Sequence, residues 1–302
     1  MDYKNLIRSR EVRLRILEFL SFIPDKLMIK LQYRIKTGRR LNLKRPERFT
    51  EKIQWYKLNY KNPLLIQCVD KYEVRDYIKR KGLESILIPC YGVYDSVDEI
   101  DWDSLPESFV MKDTLGGGGA SVIVVEDKNK ESIEKLKLHA AKWLETKPNV
   151  RGGGREWPYY TGEKHRIIIE QLIREKGLKK GLNDYKFFCF DGKIEFLYVM
   201  GNRKLGEKVS VCLFDKDFRE LPVVRVGDAP ITGLKKPADF EKMKRIAEIL
   251  SQDFPHVRVD LYDVDGKVYF GELTFYNASG YMKYEPDEFD LEIGRKWRLD
   301  LR

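Results

Sequence analysis

The 302 residues carry 57 Lys and Arg against 48 Asp and Glu, a formal charge of +9, with only three histidines to serve a His-based catalytic or metal site. No run approaches the ~20 apolar residues that cross a bilayer, and the charged stretch 1–13 has no apolar signal core, so a cytoplasmic protein is expected. Cys68, Cys90, Cys189 and Cys212 are scattered without CxxC spacing, which argues against zinc or redox use and predicts buried free thiols.

Residues 1–60 read as a basic, helical N-terminal extension. Ile16, Leu20, Ile23, Leu27, Leu31 and Ile35 recur at steps of three or four among cations, and Pro24-Asp25 divides the pattern into two helices. A further helix is predicted from Phe49 to Tyr60, with Thr50 as its N-cap. The excess of Lys and Arg here suits an anionic polysaccharide precursor or peripheral contact with an anionic membrane surface at its inner face. It also suits nucleic acid, which is the disfavoured partner. A solvated helical surface is the plainer alternative.

A second unit is predicted over 61–175. Pro63 to Lys81 reads as one helix, followed by short extended pieces at Ile86–Pro89 and Tyr91–Tyr94. Phe109-Val110-Met111-Lys112 and Ala120–Val125 are strands around Gly116, Gly117, Gly118 and Gly119, and a helix spans Asn129 to Glu145. Strand, glycine loop, strand is a hairpin and not the strand, loop, helix order of a Walker or Rossmann site. Four adjacent glycines are costly in conformational entropy, but they let backbone N–H groups close over phosphate oxygens. Lys112 beneath them adds a point charge; a flexible hairpin with a surface lysine is the alternative. Residues 151–163, rich in Gly, Arg and aromatics, read as a loop or lid. Trp157, Tyr159 and Tyr160 fit loop packing better than a sugar platform, and His165 fits a polar loop residue better than a substrate contact. Ile168-Ile169-Glu170-Gln171-Leu172-Ile173 is an apolar strand whose exit offers backbone groups to an adenine edge, or simply turns a polar face outward.

A third unit is predicted over 176–302. Ile167–Ile173 is a strand that ends the second unit; in the third, strands are expected at Asp184–Phe190, Ile194–Met200, Val209–Asp215, Val257–Asp263 and Lys267–Leu273, with a connector at 222–238 and a helix from Phe240 to Gln252. Asp184 and Lys186 share one strand face, as an ordinary ion pair or with Lys186 on a phosphate or substrate. If the last hairpin turns through Val264-Asp265-Gly266, Asp260 lies opposite Phe270 with Glu272 its diagonal neighbour; a two-residue turn would split the carboxylates between faces. Two carboxylates and the Asn277 amide oxygen are hard ligands suited to Mg²⁺ on nucleotide phosphates. A cross-strand pair satisfied by Arg258 is the alternative. Arg155, Arg166 and Arg203 are weaker candidates for gripping an anionic substrate.

In order along the chain, several phrases resemble the ATP-grasp superfamily. They are Phe49-Thr50-Glu51-Lys52-Ile53-Gln54-Trp55, Asp70-Lys71-Tyr72-Glu73-Val74-Arg75, Phe109-Val110-Met111-Lys112, Asn183–Gly192, Val257–Tyr262 and Tyr269–Phe275. More narrowly they look like the TupA-like ATP-grasp family of teichuronopeptide and other bacterial surface-polysaccharide pathways. The resemblance implies an α+β fold in which two α+β subdomains grip ATP, preceded by the helical extension. It implies that Lys112 and Lys186 approach phosphates, that the four glycines form the flap, and that Glu170, Gln171, Leu172 and Ile173 form the adenine hinge. It makes Asp260 and Glu272 ligands of Mg²⁺ (or Mn²⁺), with Asn277 or Thr274 nearby, and Lys186, Arg258 and Arg203 the catalytic candidates. Leu115 stands where the family usually has a His, and Asn277 where a proline is common. The activity implied is ATP-dependent ligation of a carboxylate to an amine through an acyl phosphate. The alternatives are a kinase acting on a sugar hydroxyl, and a membrane-associated binding module with a degenerate nucleotide site.

Overall fold

The computed structural model describes residues 12, 16–17, 19–117, 121–146, 151, 153–161, 163–175, 181–201 and 210–299. With elements numbered in chain order, β1 (Cys90–Tyr94), β2 (Phe109–Asp113), β3 (Val122–Val125) and β4 (Ile167–Gln171) form an antiparallel sheet ordered β1-β4-β2-β3. The hairpin expected around the glycines is β2–β3, with Phe109 opposite Val125 and Lys112 opposite Val122. The larger sheet runs β11-β10-β5-β6-β7-β9. It contains β5 (Asp184–Phe190), β6 (Lys193–Gly201), β7 (Ser210–Asp215), β9 (Ala229–Pro230), β10 (His256–Val264) and β11 (Lys267–Thr274). The connector at 222–238 holds only β9 and β8 (Val224–Arg225), the latter paired with β12 (Tyr284–Glu285). Mixed helices and sheets make this an α+β fold.

Among the described residues seven helices dress the sheets: α1 (Asp25–Thr37), α2 (Phe49–Asn59), α3 (Leu64–Val69), α4 (Val74–Arg80), α5 (Ile133–Leu144), α6 (Phe240–Ser251) and α7 (Glu288–Lys296). Every residue of β5 is buried, because its sheet is covered on both faces. The Phe187 ring lies 5.9 Å from Phe240 of α6, while Phe188 and Phe190 lie 6.0 and 5.6 Å from Phe49 of α2. Each ring so buried contributes about 2 kcal/mol. Helix α2, although within the basic first 60 residues, is thus part of this core. The smaller sheet packs Phe109, Met111, Ile167 and Ile169 against Leu136, Ala140 and Trp143 of α5.

Two local expectations are corrected. Thr50 does not cap α2, which begins one residue earlier. Glu51 reaches back instead, accepting from the amides of Glu47 and Arg48 at 3.1 and 3.3 Å. Thr50 donates its own amide and hydroxyl to Asp290 at the start of α7, at 2.9 and 2.7 Å. The single helix expected from Pro63 to Lys81 is two, because the Asp70 carboxylate takes the amides of Tyr72 and Glu73 at 2.7 and 2.9 Å and breaks the run. Cys68, Cys189 and Cys212 are buried and Cys90 half-buried, all free thiols. Among the described residues no helix is long and apolar enough to cross a membrane.

Candidate active site

The last hairpin does not turn as the sequence reading assumed. Val264 pairs with Lys267, so the turn is two residues, Asp265 (φ 49°) and Gly266 (φ 78°). That register alone would send Asp260 and Glu272 to opposite faces. A bulge restores them: Gly271 is passed over between the pairs Leu261–Phe270 and Asp260–Glu272, and the two carboxylates stand directly opposite each other. The position suits glycine, since a Cβ there would lie 3.1 Å from the Asp260 carbonyl oxygen and 3.1 Å from the Tyr262 ring.

On that face the structure joins five of the predicted site residues into one network. Arg258 donates through Nε and Nη2 to Asp260 at 2.7 and 2.6 Å, through Nη2 to Glu272 at 2.8 Å, and through Nη1 to the Asn277 amide oxygen. Lys186, opposite Asp260 on the neighbouring strand, bridges Asp260 and, at 2.6 Å, Asp184. Thr274 donates its hydroxyl to Glu272 at 3.2 Å. Burial pushes Asp260 up, against the pull of Arg258 and Lys186. Glu272 lines the cleft and is still 48 % open. The desolvation it meets there is outweighed by Arg258, Lys186 and Lys71, which hold it down at about 2.

Gly116 and Gly117, the described part of the glycine loop, stand close to Glu272. A narrow cavity of about 40 Å³ lies between Gly116 and Gly117 on one side and residues 270–273 on the other, walled by Lys71 and Tyr159. Lys71 donates to the carbonyls of Asp113, Thr114 and Gly116 at 2.8, 3.3 and 2.5 Å, fixing the start of the loop. Burial lowers its pKa, while Glu272 and Asp113 favour its charge. Lys71 is a site residue that the sequence reading passed over. It fell inside a predicted helix, where a lysine reads as solvated, and only the phrase Asp70-Lys71-Tyr72 marked it. His165 also serves the loop, its Nδ1 lying 2.8 and 2.9 Å from the Asp113 carboxylate oxygens. Gly118 and Gly119 lie outside the described residues, as does Arg203.

Lys112 and Glu170 meet across β2 and β4, Nζ to Oε2 at 2.7 Å, and Arg75 holds the other Glu170 oxygen at 3.2 Å. Gln171, Leu172 and Ile173 continue from Glu170 along one wall of an open cleft of about 430 Å³, whose other wall is the hairpin tip 264–267 with Tyr269. Residues 171–174 and the tip of the last hairpin therefore face each other across one cleft. The remaining candidates are used elsewhere. Arg155, 2 % exposed, gives its guanidinium to the carbonyls of Leu20 and Ile23 and to Asp25, so it grips the N-terminal segment and not a substrate. Arg166 pairs with Asp70 and Glu73. Trp157 donates to the Tyr60 carbonyl at 3.1 Å and Tyr160 to Asp25 at 2.8 Å, the loop packing that was expected.

Among the described residues no three His, Cys, Asp or Glu side chains converge as a metal site. The candidate donors are Asp260, Glu272 and the Asn277 amide oxygen, gathered around one guanidinium. That set of hard oxygens fits Mg²⁺, which takes few protein ligands and completes its shell with water and phosphate oxygens.

A glycine-loop sheet and a carboxylate-bearing sheet thus face each other across one cleft, as in an ATP-grasp fold. The chain belongs to the TupA-like ATP-grasp family, whose model matches residues 51–298. No curated protein matches the chain. Similar solved structures include a D-alanine–D-alanine ligase from Bacillus anthracis, 20 % identical over 69 % of this chain and 57 % of that one, TM-score 0.43. The corresponding ligase from Helicobacter pylori is 16 % identical over 77 % and 61 %, TM-score 0.41. A D-cycloserine synthetase is 17 % identical over 78 % and 72 %, TM-score 0.44. The chain spans about three fifths of the length of the solved structures it matches first.

Proposed function

We propose that this chain is an ATP- and Mg²⁺-dependent ligase that joins a carboxylate to an amine on a precursor of a bacterial surface polysaccharide. The observation that carries the reading is the meeting of Lys186, Arg258, Asp260, Glu272 and Asn277 in one network under the glycine loop. A carboxylate is a poor electrophile, and passing it through an acyl phosphate supplies a leaving group that an amine displaces. Mg²⁺ (or Mn²⁺), when bound, supplies charge neutralisation at the phosphates.

The chain's own residues account for the rest. Gly116 and Gly117 present backbone to the phosphates without a side chain in the way. Lys71 holds the loop down and brings a positive charge to the same cavity. Lys186 and Arg258 are preset cations, needing no reorganisation as charge spreads over a transferring phosphoryl group. Glu170, tied by Lys112 and Arg75, fixes the strand from which Gln171, Leu172 and Ile173 face the cleft. Positioning of carboxylate and amine supplies much of the remaining barrier reduction. The glycan setting and the amine donor rest on the family's known context.

Isothermal titration of a non-hydrolysable ATP analogue, with and without Mg²⁺, tests the site. The expected result is Mg²⁺-dependent binding that disappears in Asp260→Asn/Glu272→Gln. Binding that survives the double substitution, or no binding by the wild type, overturns it. Release of ADP with an amide product distinguishes the ligase from a kinase, which would give a phosphorylated sugar without any amine.

A further inference from the structure

Helix α1 has two apolar faces, and only one is used. Met28, Ile29 and Tyr33 are buried against the body of the protein. Gln32 donates to the Gly153 carbonyl at 2.9 Å and accepts from the Tyr281 hydroxyl at 2.6 Å, and Tyr33 meets Thr50 at 2.9 Å. The inner face is therefore complete. On the outer side Leu27, Leu31 and Ile35, one helical turn apart, are 59, 50 and 49 % exposed. Immediately before the helix Phe19 and Phe22 are 77 and 72 % exposed, their rings edge to face with centroids 6.3 Å apart. Single exposed apolar residues are ordinary, but a row of three beside two bare phenylalanines is not. A surface helix that only closed a core would be polar here.

The charges beside this row say what covers it. Lys26, Lys30 and Arg34 are all exposed and form the adjacent row of the same helix, each one residue before an apolar neighbour. Arg155 ties the segment down through the carbonyls of Leu20 and Ile23 and through Asp25, so the phenylalanines are presented from a fixed base. Cations flanking a leucine and phenylalanine ridge are the pattern of a surface lying in the headgroup plane of an anionic bilayer. A nucleic acid would use the cations and leave the ridge in water; a second copy of this chain would use the ridge and set cation against cation.

We infer that the outer face of α1, with Phe19 and Phe22, is a docking surface for an anionic phospholipid membrane. The inference does not depend on the ligase reading. Its test is co-sedimentation of the full-length protein with phosphatidylcholine vesicles, with and without about 30 % phosphatidylglycerol. The expected result is binding only to the anionic vesicles, weakened by salt. Lys26→Gln/Lys30→Gln/Arg34→Gln should weaken it on the order of a hundredfold, at about fivefold per cation. Leu27→Gln/Leu31→Gln/Ile35→Gln should weaken it at least about tenfold. Because these side chains are exposed, both variants should keep the wild-type melting point and nucleotide titration, which separates failed docking from failed folding or a failed ATP site. Equal binding by wild type and the apolar variant, or no anionic-vesicle binding at low salt, overturns the inference. So does a dimer in solution that the apolar variant dissociates, since the second copy would then be the occupant.

Discussion

Replacing Arg258 by methionine should destabilise the protein and make it dependent on a divalent cation. Arg258 is 8 % exposed and holds Asp260 by two bonds at 2.7 and 2.6 Å, Glu272 at 2.8 Å and the Asn277 amide oxygen. Methionine keeps most of the side-chain volume and removes the charge. Removing one partner of a buried ion pair costs about 3–5 kcal/mol, because the other charge stays buried and uncompensated. Lys186 remains on Asp260, and Glu272 is half open, so the lower end applies, about 3 kcal/mol. For a chain of 302 residues that is a fall of roughly 5 °C in melting temperature. Millimolar Mg²⁺ should recover part of the loss in Arg258→Met, where it meets unpaired carboxylates, and do little to the wild type without nucleotide. Arg258→Lys should fall between, keeping the charge without the fork that reaches three partners at once. Thermal melts of the three proteins with and without Mg²⁺ are sufficient. A methionine variant within about 2 °C of wild type, or an equal Mg²⁺ effect in both, would refute the view that Arg258 neutralises the acidic hairpin.

Two further outcomes follow from single residues. His256 is fully buried, with Nδ1 3.1 Å from the Cys189 carbonyl, and burial pushes its pKa down to about 3. The unfolded chain therefore takes the proton first. His256 contributes its full stability above about pH 6.5 and loses it as pH falls toward 3, by about 3 kcal/mol at pH 4.5. His256→Phe should remove that dependence, so the wild-type-minus-variant stability from urea unfolding should drop by this amount between about pH 7.5 and 4.5; a flat difference would count against a neutral buried imidazole. Gly271→Ala should separate stability from binding: its Cβ meets the Asp260 carbonyl at 3.1 Å. Spreading the carboxylate pair should weaken Mg²⁺-dependent nucleotide binding about tenfold. Gly266→Ala has open space but φ 78°, and should cost about 1 kcal/mol of stability with binding intact; equal titrations for both would refute the role given to the bulge.

Much of the fold was legible because its signals are local. The apolar runs at 109–112, 184–190 and 257–263 each became a strand, and the glycines fell in the hairpin between β2 and β3. What was not legible depends on pairing across the chain. Asp70 stops a helix by hydrogen bonds that periodicity does not record. Thr50 looked like a cap because its partner Asp290 lies 240 residues away. The face shared by Asp260 and Glu272 was reached through the wrong turn: the expected three-residue loop and the observed two-residue turn differ by one residue, and the Gly271 bulge adds it back. Lys71 was missed for the opposite reason, since a lysine in a charged helical run has no pattern of its own, and only the fold brings it to the carbonyls of Asp113 and Gly116.

The network itself carries a consequence for how a site of this kind rests. Arg258 and Lys186 are shared among three carboxylates, Asp184, Asp260 and Glu272, on neighbouring strands. Two cations against three anions leave the face short of positive charge, and Lys71 lies across the cavity from it. Burial pushes Asp260 up, and Asp184 and Glu272 add to that push, while Arg258 and Lys186 oppose it. The cations thus help keep in place the two acids proposed as metal ligands, Asp260 and Glu272. Asp260 and Glu272 would hold a divalent cation, which would supply part of the neutralisation. Under the proposed function Arg258 and Lys186, no longer the only partners of the carboxylates, would also stabilise charge on a transferring phosphoryl group.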